Sequence, residues 1–330
     1  MMALKWHNKK RKAKKVYRGS LTFLKLLKKT TFRWWARDPF RNSSVISYYT
    51  IFALPGLMVI IVNLLGYFFG THRASEEILS QVSNTMGPRV AESLNTIINS
   101  TQDVDDLTLS SMAGLAALLF GATGVFIQMQ VSLNAVWGVE PQPKRAWLKF
   151  IKDRFFSFGI VLTVGFLLLV SLLLSTALSV VSTWLSLRFS LPLSGFFHLI
   201  DLCISLSAAT FLFSAIFKFL PDAEINWQDV WGGALLTSGM FIVAKFLLSF
   251  YLAQSDPTSA YGAAGSIVLT MLWVSYSSML LLFGAEYTRA YAEHRGQKVK
   301  ASEFAQEDTA ANVDPAPTEQ TKKPPNLKYL

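Results

Sequence analysis

The chain has 330 residues, of which 52% are hydrophobic and only 16% are charged. Soluble domains carry about 25% charged residues, so this composition excludes an ordinary soluble globular protein and indicates lipid as the surrounding medium. The net charge of +10 comes from residues 1–44, which hold fourteen Lys and Arg against one acid, Asp38. We therefore predict a basic cytoplasmic arm at residues 1–44, followed by a membrane domain.

The second half of the arm mixes aromatic and basic residues. This mixture is typical of a helix that lies at the membrane interface on anionic lipid head groups. A basic tract also attracts nucleic acid, but this one runs directly into a spanning segment, so we predict membrane lipids and no nucleic acid as partners. The residues that carry the interpretation are Phe23, Phe32, Trp34, Trp35, Lys25, Lys28, Lys29 and Arg33.

Six apolar stretches are each long enough to cross about 30 Å of hydrocarbon at about 1.5 Å per residue. They lie at residues 45–70, 108–136, 155–185, 196–219, 227–252 and 261–291. The predicted fold is all-α, a polytopic membrane bundle of six transmembrane helices that occupies residues 45–291. Pro55 removes a backbone donor inside the first stretch, which predicts a kink there.

Residues 71–107 form a polar segment with six acids and two basic residues. Apolar residues recur at helical spacing on both sides of Gly87 and Pro88, which predicts two short amphipathic helices with a break between them. We expect this segment to lie outside the cytoplasm and to cap the mouth of the bundle. A ligand-binding domain is the alternative.

The distribution of basic residues predicts the orientation of the bundle. The arm, the loop 138–154 and the segment after Arg289 are all basic, and six spans place all three on one side. The positive-inside rule assigns that side to the cytoplasm, so we expect both termini there. The tail 292–330 is polar and contains prolines, which predicts disorder.

Small residues mark the faces where helices are expected to approach one another closely. Gly121 continues a stripe with Ala113 and Ala117 at intervals of four residues. Further packing positions are predicted at Gly233, Gly262 and Gly265.

Ionisable residues inside spans are costly in lipid and therefore face protein or water. Asp201 and Lys245 are expected to pair if the fourth and fifth spans are neighbours, and Glu286 is three residues before Arg289, at a spacing that allows pairing. The polar run at the end of the second span includes Gln128 and Asn134. Structural pairing and a substrate or proton path are both open interpretations of these six residues.

No pattern indicates enzyme chemistry. The four histidines are scattered, and neither a metalloprotease pattern, a phosphate-binding loop nor a nucleophile elbow occurs in the sequence. We predict no catalytic residues, no metal site and no cofactor.

Four segments, in this order, resemble the YihY/BrkB family of bacterial inner-membrane proteins. The resemblance extends from about Phe32 to Gly296 and includes the stretches SVISYYTIFALPGLMVIIV, SLNAVWGVEPQPKRAWLKFIKDRFFSFGIVL, FKFLPDAEINWQDVWGGALL and SAYGAAGSIVLTMLWVSYSSMLLLFGAEYTRAY. It implies a six-helix protein in the inner membrane of a Gram-negative or related bacterium, which would place residues 71–107 in the periplasm. It maps family positions onto Tyr48, Tyr49, Pro55, Asn134, Trp137, Pro221, Tyr261, Gly262, Gly265, Gly284 and Glu286.

The resemblance also implies a role in the bacterial envelope. Family members have been linked to serum resistance and to export of lipids or lipopolysaccharide precursors. An older label, ribonuclease BN, is regarded as mistaken, and the absence of a nuclease metal pattern argues against a membrane-bound ribonuclease here.

Two hypotheses follow. The first is a transporter or flippase of a lipid or another anionic amphiphile in the bacterial envelope. The second is a membrane scaffold for envelope biogenesis that transports nothing. The internal polar residues favour the transporter. The sequence does not decide whether the protein forms a homo-oligomer.

Overall fold

The computed structural model describes residues 22–86, 88–102, 109–141, 194–254, 265–297, 300–302 and 305–307. These residues form helices, four short strands and the turns between them. The helices are α1 (residues 22–36), α2 (Pro39–Phe69), α3 (Thr71–Met86), α4 (Pro88–Gln102), α5 (Leu109–Trp137), α6 (Ser194–Phe219), α7 (Trp227–Gln254) and α8 (Gly265–His294). The strands are β1 (Val139–Pro141), β2 (Ala223–Glu224), β3 (Lys300–Ala301) and β4 (Ala305–Glu307).

Helix α8 lies at the centre of the described bundle. It packs against α2, α4, α5 and α7, while α2 also packs against α5, and α6 packs against α7. The described residues therefore form a mostly helical bundle, as predicted. The third predicted span, residues 155–185, lies outside the described residues, so the count of six remains a prediction.

Three described helices have the length and composition of membrane spans. They are Leu199–Phe219 in α6, Trp227–Leu248 in α7 and Ile267–His294 in α8. Large apolar side chains such as Phe246 and Leu247 of α7 are exposed on the outside of the bundle. Lipid tails are the medium in which such a surface is stable.

Two separate helices follow α2: α3 ends at Met86 and α4 begins at Pro88, where the sequence predicted a break. Leu94 and Ile98 of α4 are buried against Leu269, near the start of α8. Ile78 of α3 packs against the same apolar cluster. The two helices thus lie at the end of the bundle where α8 begins.

Contacts near the helix ends show at which end of the bundle α5 ends and α6 begins. Val136, near the end of α5, lies beside Arg289, near the end of α8. Asp201, near the start of α6, interacts electrostatically with Lys245, in the second half of α7. Helices α7 and α8 run antiparallel, since Gly233 of α7 lies against Thr288 of α8 and Gly284 of α8 lies against Thr237 of α7. Therefore α5 ends at the end of the bundle where α8 ends, and α6 begins at the opposite end, as six spans require.

Helix α1 lies along the last turns of α8. Leu26 packs against Tyr287 and Ala290, and the indole of Trp34 donates a hydrogen bond to the carbonyl oxygen of Met279 over 3.1 Å. The described half of the basic arm is therefore docked on the bundle.

The tail differs from the predicted disorder as far as Glu307. After α8, Gly296 adopts a left-handed conformation, and the amide of Gln297 donates to the carbonyl of Ala292, which reverses the chain. β3 then pairs antiparallel with β2, and β4 pairs antiparallel with β1. Backbone pairing and the packing of Ala301 and Ala305 on the apolar core order this polar segment. Residues 308–330 lie outside the described residues.

Candidate functional site

Helix α1 and the residue that follows it present three basic side chains to α8. Lys29 and Arg33 lie four residues apart in α1, and Arg37 follows at the same interval, one residue after the helix ends. The opposing face of α8 carries Glu286 and Glu293, two turns apart. The spacing of the two sets of charges therefore matches.

Glu293 binds three cations. Its carboxylate lies 2.9 Å from Lys29 Nζ, 2.9 Å from Arg33 Nη1 and 3.0 Å from Arg289 Nε. The side chains of Arg33 and Arg289 retain only 9% and 6% exposure. A buried guanidinium needs such a partner, because removing an ion from water without compensation is costly.

Glu286 is fully buried and lies two helical turns before Glu293. Its Oε1 atom forms an ion pair with Nε of Arg37. The same guanidinium group donates to the carbonyl oxygen of Ala135 in α5. Arg37 therefore connects α5 and α8 at the turn between α1 and α2.

The end of α5 receives a second arginine. Arg289 donates from Nη1 to the carbonyl oxygen of Val136, next to the carbonyl that Arg37 binds. The last carbonyls of a helix have no partners within the helix and carry its negative partial charge, so two guanidinium groups stabilise this terminus. We call Lys29, Arg33, Arg37 and Arg289 the basic cluster.

A cavity of about 270 Å³ lies beside the basic cluster, between the α1–α2 turn, α5 and α8. Glu286 lies in its wall, together with residues that differ in charge and polarity: Arg37, Asp38, Arg41, Asn42, Ser132 and Leu282. Oε1 of Glu286 contacts Arg37, whereas Oε2 accepts no hydrogen bond from the residues that the structure describes. This cavity is the candidate site.

Comparison with known proteins identifies the family. The sequence profile of a family described as virulence factor BrkB matches residues 30–309, which is most of the chain. The chain belongs to the BrkB family. The matched region includes Arg33, Arg37, the cavity and the strands β3 and β4, so it extends beyond the resemblance seen in the sequence.

Relatives of this BrkB chain are named as membrane proteins. A UPF0761 membrane protein of Pseudomonas paraeruginosa is 27% identical over 250 residues, covering 74% of this chain and 57% of the relative. One from Saccharophagus degradans is 24% identical over 267 residues, covering 80% and 58%. One from Tolumonas auensis is 30% identical over 192 residues, covering 58% and 60%.

The chain thus spans less than two thirds of the length of these relatives. No solved protein structure matches it. Together with the long apolar helices, the names of the relatives make this BrkB chain a multi-pass membrane protein.

The predicted site residues of the BrkB chain fall in three places. Glu286 and Arg289 lie in the basic end described above; each interacts electrostatically with the other, but the ion pairs seen are Glu286 with Arg37 and Arg289 with Glu293. Asp201 and Lys245 interact between the neighbouring helices α6 and α7, far from the cavity along the bundle.

The third place is the last part of α5, where Asn134 binds the loop between α6 and α7. Its side-chain amide donates to Asp222 Oδ2 over 2.8 Å, and its Oδ1 accepts from the Asp222 amide over 2.7 Å. Gln130 also donates to Asp222, whereas Gln128 donates to Ser132 within α5 over 3.4 Å. In the described structure, Asn134 thus joins α5 to the α6–α7 loop.

The predicted packing residues are distributed over several helices. Gly121 lies against the backbone of Tyr49 to Ala53 in α2, and Gly233 lies against Thr288 of α8. Gly265 is the buried first residue of α8, and Gly262 lies outside the described residues. Helix α2 is continuous through Pro55, and the kink remains a prediction.

Sequence reasoning missed Arg37, Glu293 and Asp222 as members of these networks. The four-residue spacing of Lys29, Arg33 and Arg37 was a visible signal that the arm has a basic face. The sequence did not show that this face turns towards α8.

Proposed function

We propose that this BrkB-family protein moves a lipid or another anionic amphiphile across the bacterial inner membrane, and that the cavity beside the basic cluster receives its head group. The observation that carries the proposal is an excess of positive charge next to a cavity. Among the described residues, the four cations of the basic cluster surround two carboxylates, those of Glu286 and Glu293.

This excess favours an anionic ligand. Charges near low-dielectric surroundings interact much more strongly than charges in water, so an uncompensated positive charge attracts and stabilises a nearby anion. The cavity wall itself holds Arg37 and Arg41 together with Asp38 and Glu286, so the positive excess comes from Lys29, Arg33 and Arg289 beside it. A phosphate group in the cavity would approach Arg37 and Arg41. Arginine is well suited to this contact, because its planar fork binds phosphate through two hydrogen bonds.

The surroundings of the cavity support a position at head-group depth. Phe32, Trp35 and Phe40 are exposed around the α1–α2 turn, and Trp35 retains 62% exposure. Aromatic residues are enriched where membrane and water meet. A cavity at this level would receive a head group while the acyl chains stay in lipid.

The outer surface of α1 supports a second contact with the membrane. Lys25 and Lys28 are exposed there beside Leu24 and Phe32, while Lys29 and Arg33 face Glu293. We therefore expect α1 to bind anionic head groups through Lys25 and Lys28. Each basic residue near such a surface contributes about 1 kcal/mol.

Lipid movement in reconstituted vesicles tests the proposal. Phosphatidylcholine vesicles would carry the protein and a trace of acyl-labelled fluorescent phosphatidylglycerol, and an impermeant reductant would quench label that reaches the outer leaflet. We expect quenching to exceed that of empty vesicles. Arg37→Gln should slow it about tenfold, which corresponds to roughly 1.4 kcal/mol.

Arg295→Gln is the matched control. Arg295 is also an ion-paired arginine at this end of the bundle, bonded to Asp229 over 3.2 Å, but it is not in the cavity wall. Its loss should leave the rate within about twofold of wild type. The proposal fails if no anionic lipid moves faster than in empty vesicles.

A further inference from the structure

The buried carboxylate of Glu286 has an atom that the protein does not satisfy. The side chain is fully buried, and Arg37 contacts Oε1. Oε2 accepts no hydrogen bond from any residue that the structure describes, although Glu286 lies in the cavity wall. Buried polar atoms are nearly always paired, and one left without a partner is costly, so a donor group that reached Oε2 from the cavity would stabilise it.

Electrostatics decide which kind of donor fits. Three guanidinium groups, those of Arg37, Arg289 and Arg33, already act on the Glu286 carboxylate. A ligand ammonium group placed at Oε2 would be repelled by all three. A hydroxyl group offers the hydrogen bond without adding charge.

The rest of the wall fits a phosphate next to that hydroxyl. Arg37 pairs with Glu286, and the exposed Arg41 lies 3.9 Å from Asp38 in the same wall. Each guanidinium group has five donor hydrogens, more than these ion pairs use, so both can also donate to a phosphate. Asn42 and Ser132 add polar groups to the same wall. The volume of about 270 Å³ is several times that of a single water molecule, which leaves room for a small phosphorylated polyol.

We propose that the cavity selects anionic lipids whose phosphodiester head group carries free hydroxyls, with Glu286 Oε2 accepting a hydrogen bond from one of them. The inference rests on the proposed function and specifies its substrate class. The phosphate supplies the attraction to the arginines, and the hydroxyl supplies the selectivity. A site that hydrogen-bonds a hydroxyl discriminates against an analogue that lacks it, because its own polar atom is then left unpaired.

The test compares two lipids that differ only in hydroxyl groups. Phosphatidylglycerol and phosphatidylpropanol have the same phosphodiester charge and the same three-carbon head group, but the propanol lipid has no free hydroxyl. In the vesicle assay we expect wild-type protein to move phosphatidylglycerol about tenfold faster or more. Equal rates would overturn this inference and leave the proposed function standing, whereas movement of neither lipid would overturn the proposed function itself.

A variant locates the selectivity. Glu286→Gln should bring the ratio of the two rates close to one, whatever its effect on the absolute rates. Glu224→Gln removes the same charge from an exposed position of strand β2, outside the cavity wall, and should keep the wild-type ratio. A wild-type ratio in Glu286→Gln would overturn the assignment to Glu286. If this variant does not fold, the wild-type comparison of the two lipids still decides the inference.

Discussion

At Glu293, one carboxylate compensates three basic side chains that belong to two helices. Lys29 and Arg33 come from α1, and Arg289 comes from the preceding turn of α8. Because two of these cations are almost completely buried, their charges depend on this acid. Its pairing across helices therefore holds α1 on the bundle.

Glu293→Gln should loosen α1. The amide keeps the size of the side chain but loses the charge, so each of the three contacts weakens. We expect a loss of about 1.5–3 kcal/mol of stability, the range for hydrogen bonds to charged groups. Thermal unfolding in detergent measures it, and limited trypsin digestion at Lys25 and Lys28 should become faster.

Glu92→Gln provides the comparison, because Glu92 is exposed on α4 at the opposite end of the bundle. Such a surface change should stay within about 0.5 kcal/mol of wild type. Equal stability of Glu293→Gln and Glu92→Gln would contradict the role of Glu293 in docking α1.

Helices α7 and α8 cross through two matching pairs of small residues. Gly233 of α7 lies against Thr288 of α8, and Gly284 of α8 lies against Thr237 of α7. Each threonine hydroxyl donates to the carbonyl of the glycine four residues earlier in its own helix, at 2.7 Å for Thr237 and 2.8 Å for Thr288. The hydroxyls are thus satisfied locally, and packing alone brings the two backbones together.

Gly233→Ala should disrupt this crossing. A methyl group built on Gly233 overlaps the Thr288 side chain and approaches its backbone, so the helices must separate. Overpacking of this kind costs up to about 3 kcal/mol, and because the overlap reaches the Thr288 backbone we expect the cost to exceed the gain of about 1 kcal/mol in helix propensity. Thermal unfolding of the purified variant should show a lower midpoint.

Gly239→Ala isolates the propensity effect in the same helix. No described atom lies within 4 Å of a methyl group built at Gly239. This variant should therefore be as stable as wild type or more stable by up to about 1 kcal/mol. If both alanine variants had the same stability, the close crossing at Gly233 would be refuted.

The sequence predicted elements better than it predicted their partners. The division into α3 and α4 and the long apolar helices follow from local patterns, which depend on neighbouring residues. The ion pair of Glu286 with Arg37 joins residues 249 positions apart, and the nearer Arg289 was the partner that local spacing indicated. The strands β3 and β4 have polar sequences whose order depends on distant loops, so composition alone indicated disorder.

At the scale of the whole molecule, the two ends of the bundle differ in chemistry. One end carries the basic cluster, the cavity and the paired strands, and the other carries α3 and α4 packed on the start of α8 through apolar contacts. A head group entering from the basic end would meet charge first. If the protein transports a lipid as proposed, this asymmetry favours entry of the anionic head group from the basic end.

Site-directed labelling should place these ends on opposite faces of the membrane. In a Cys203→Ser background, single cysteines would replace Lys28, Glu92 and Lys300, which are all exposed. If six helices span the membrane, one crossing separates positions 28 and 92, and five separate positions 92 and 300. An impermeant thiol reagent should therefore label Lys28→Cys and Lys300→Cys from one face, and Glu92→Cys from the other. Labelling of positions 28 and 300 from opposite faces would require an odd number of spans and would refute the six-helix topology.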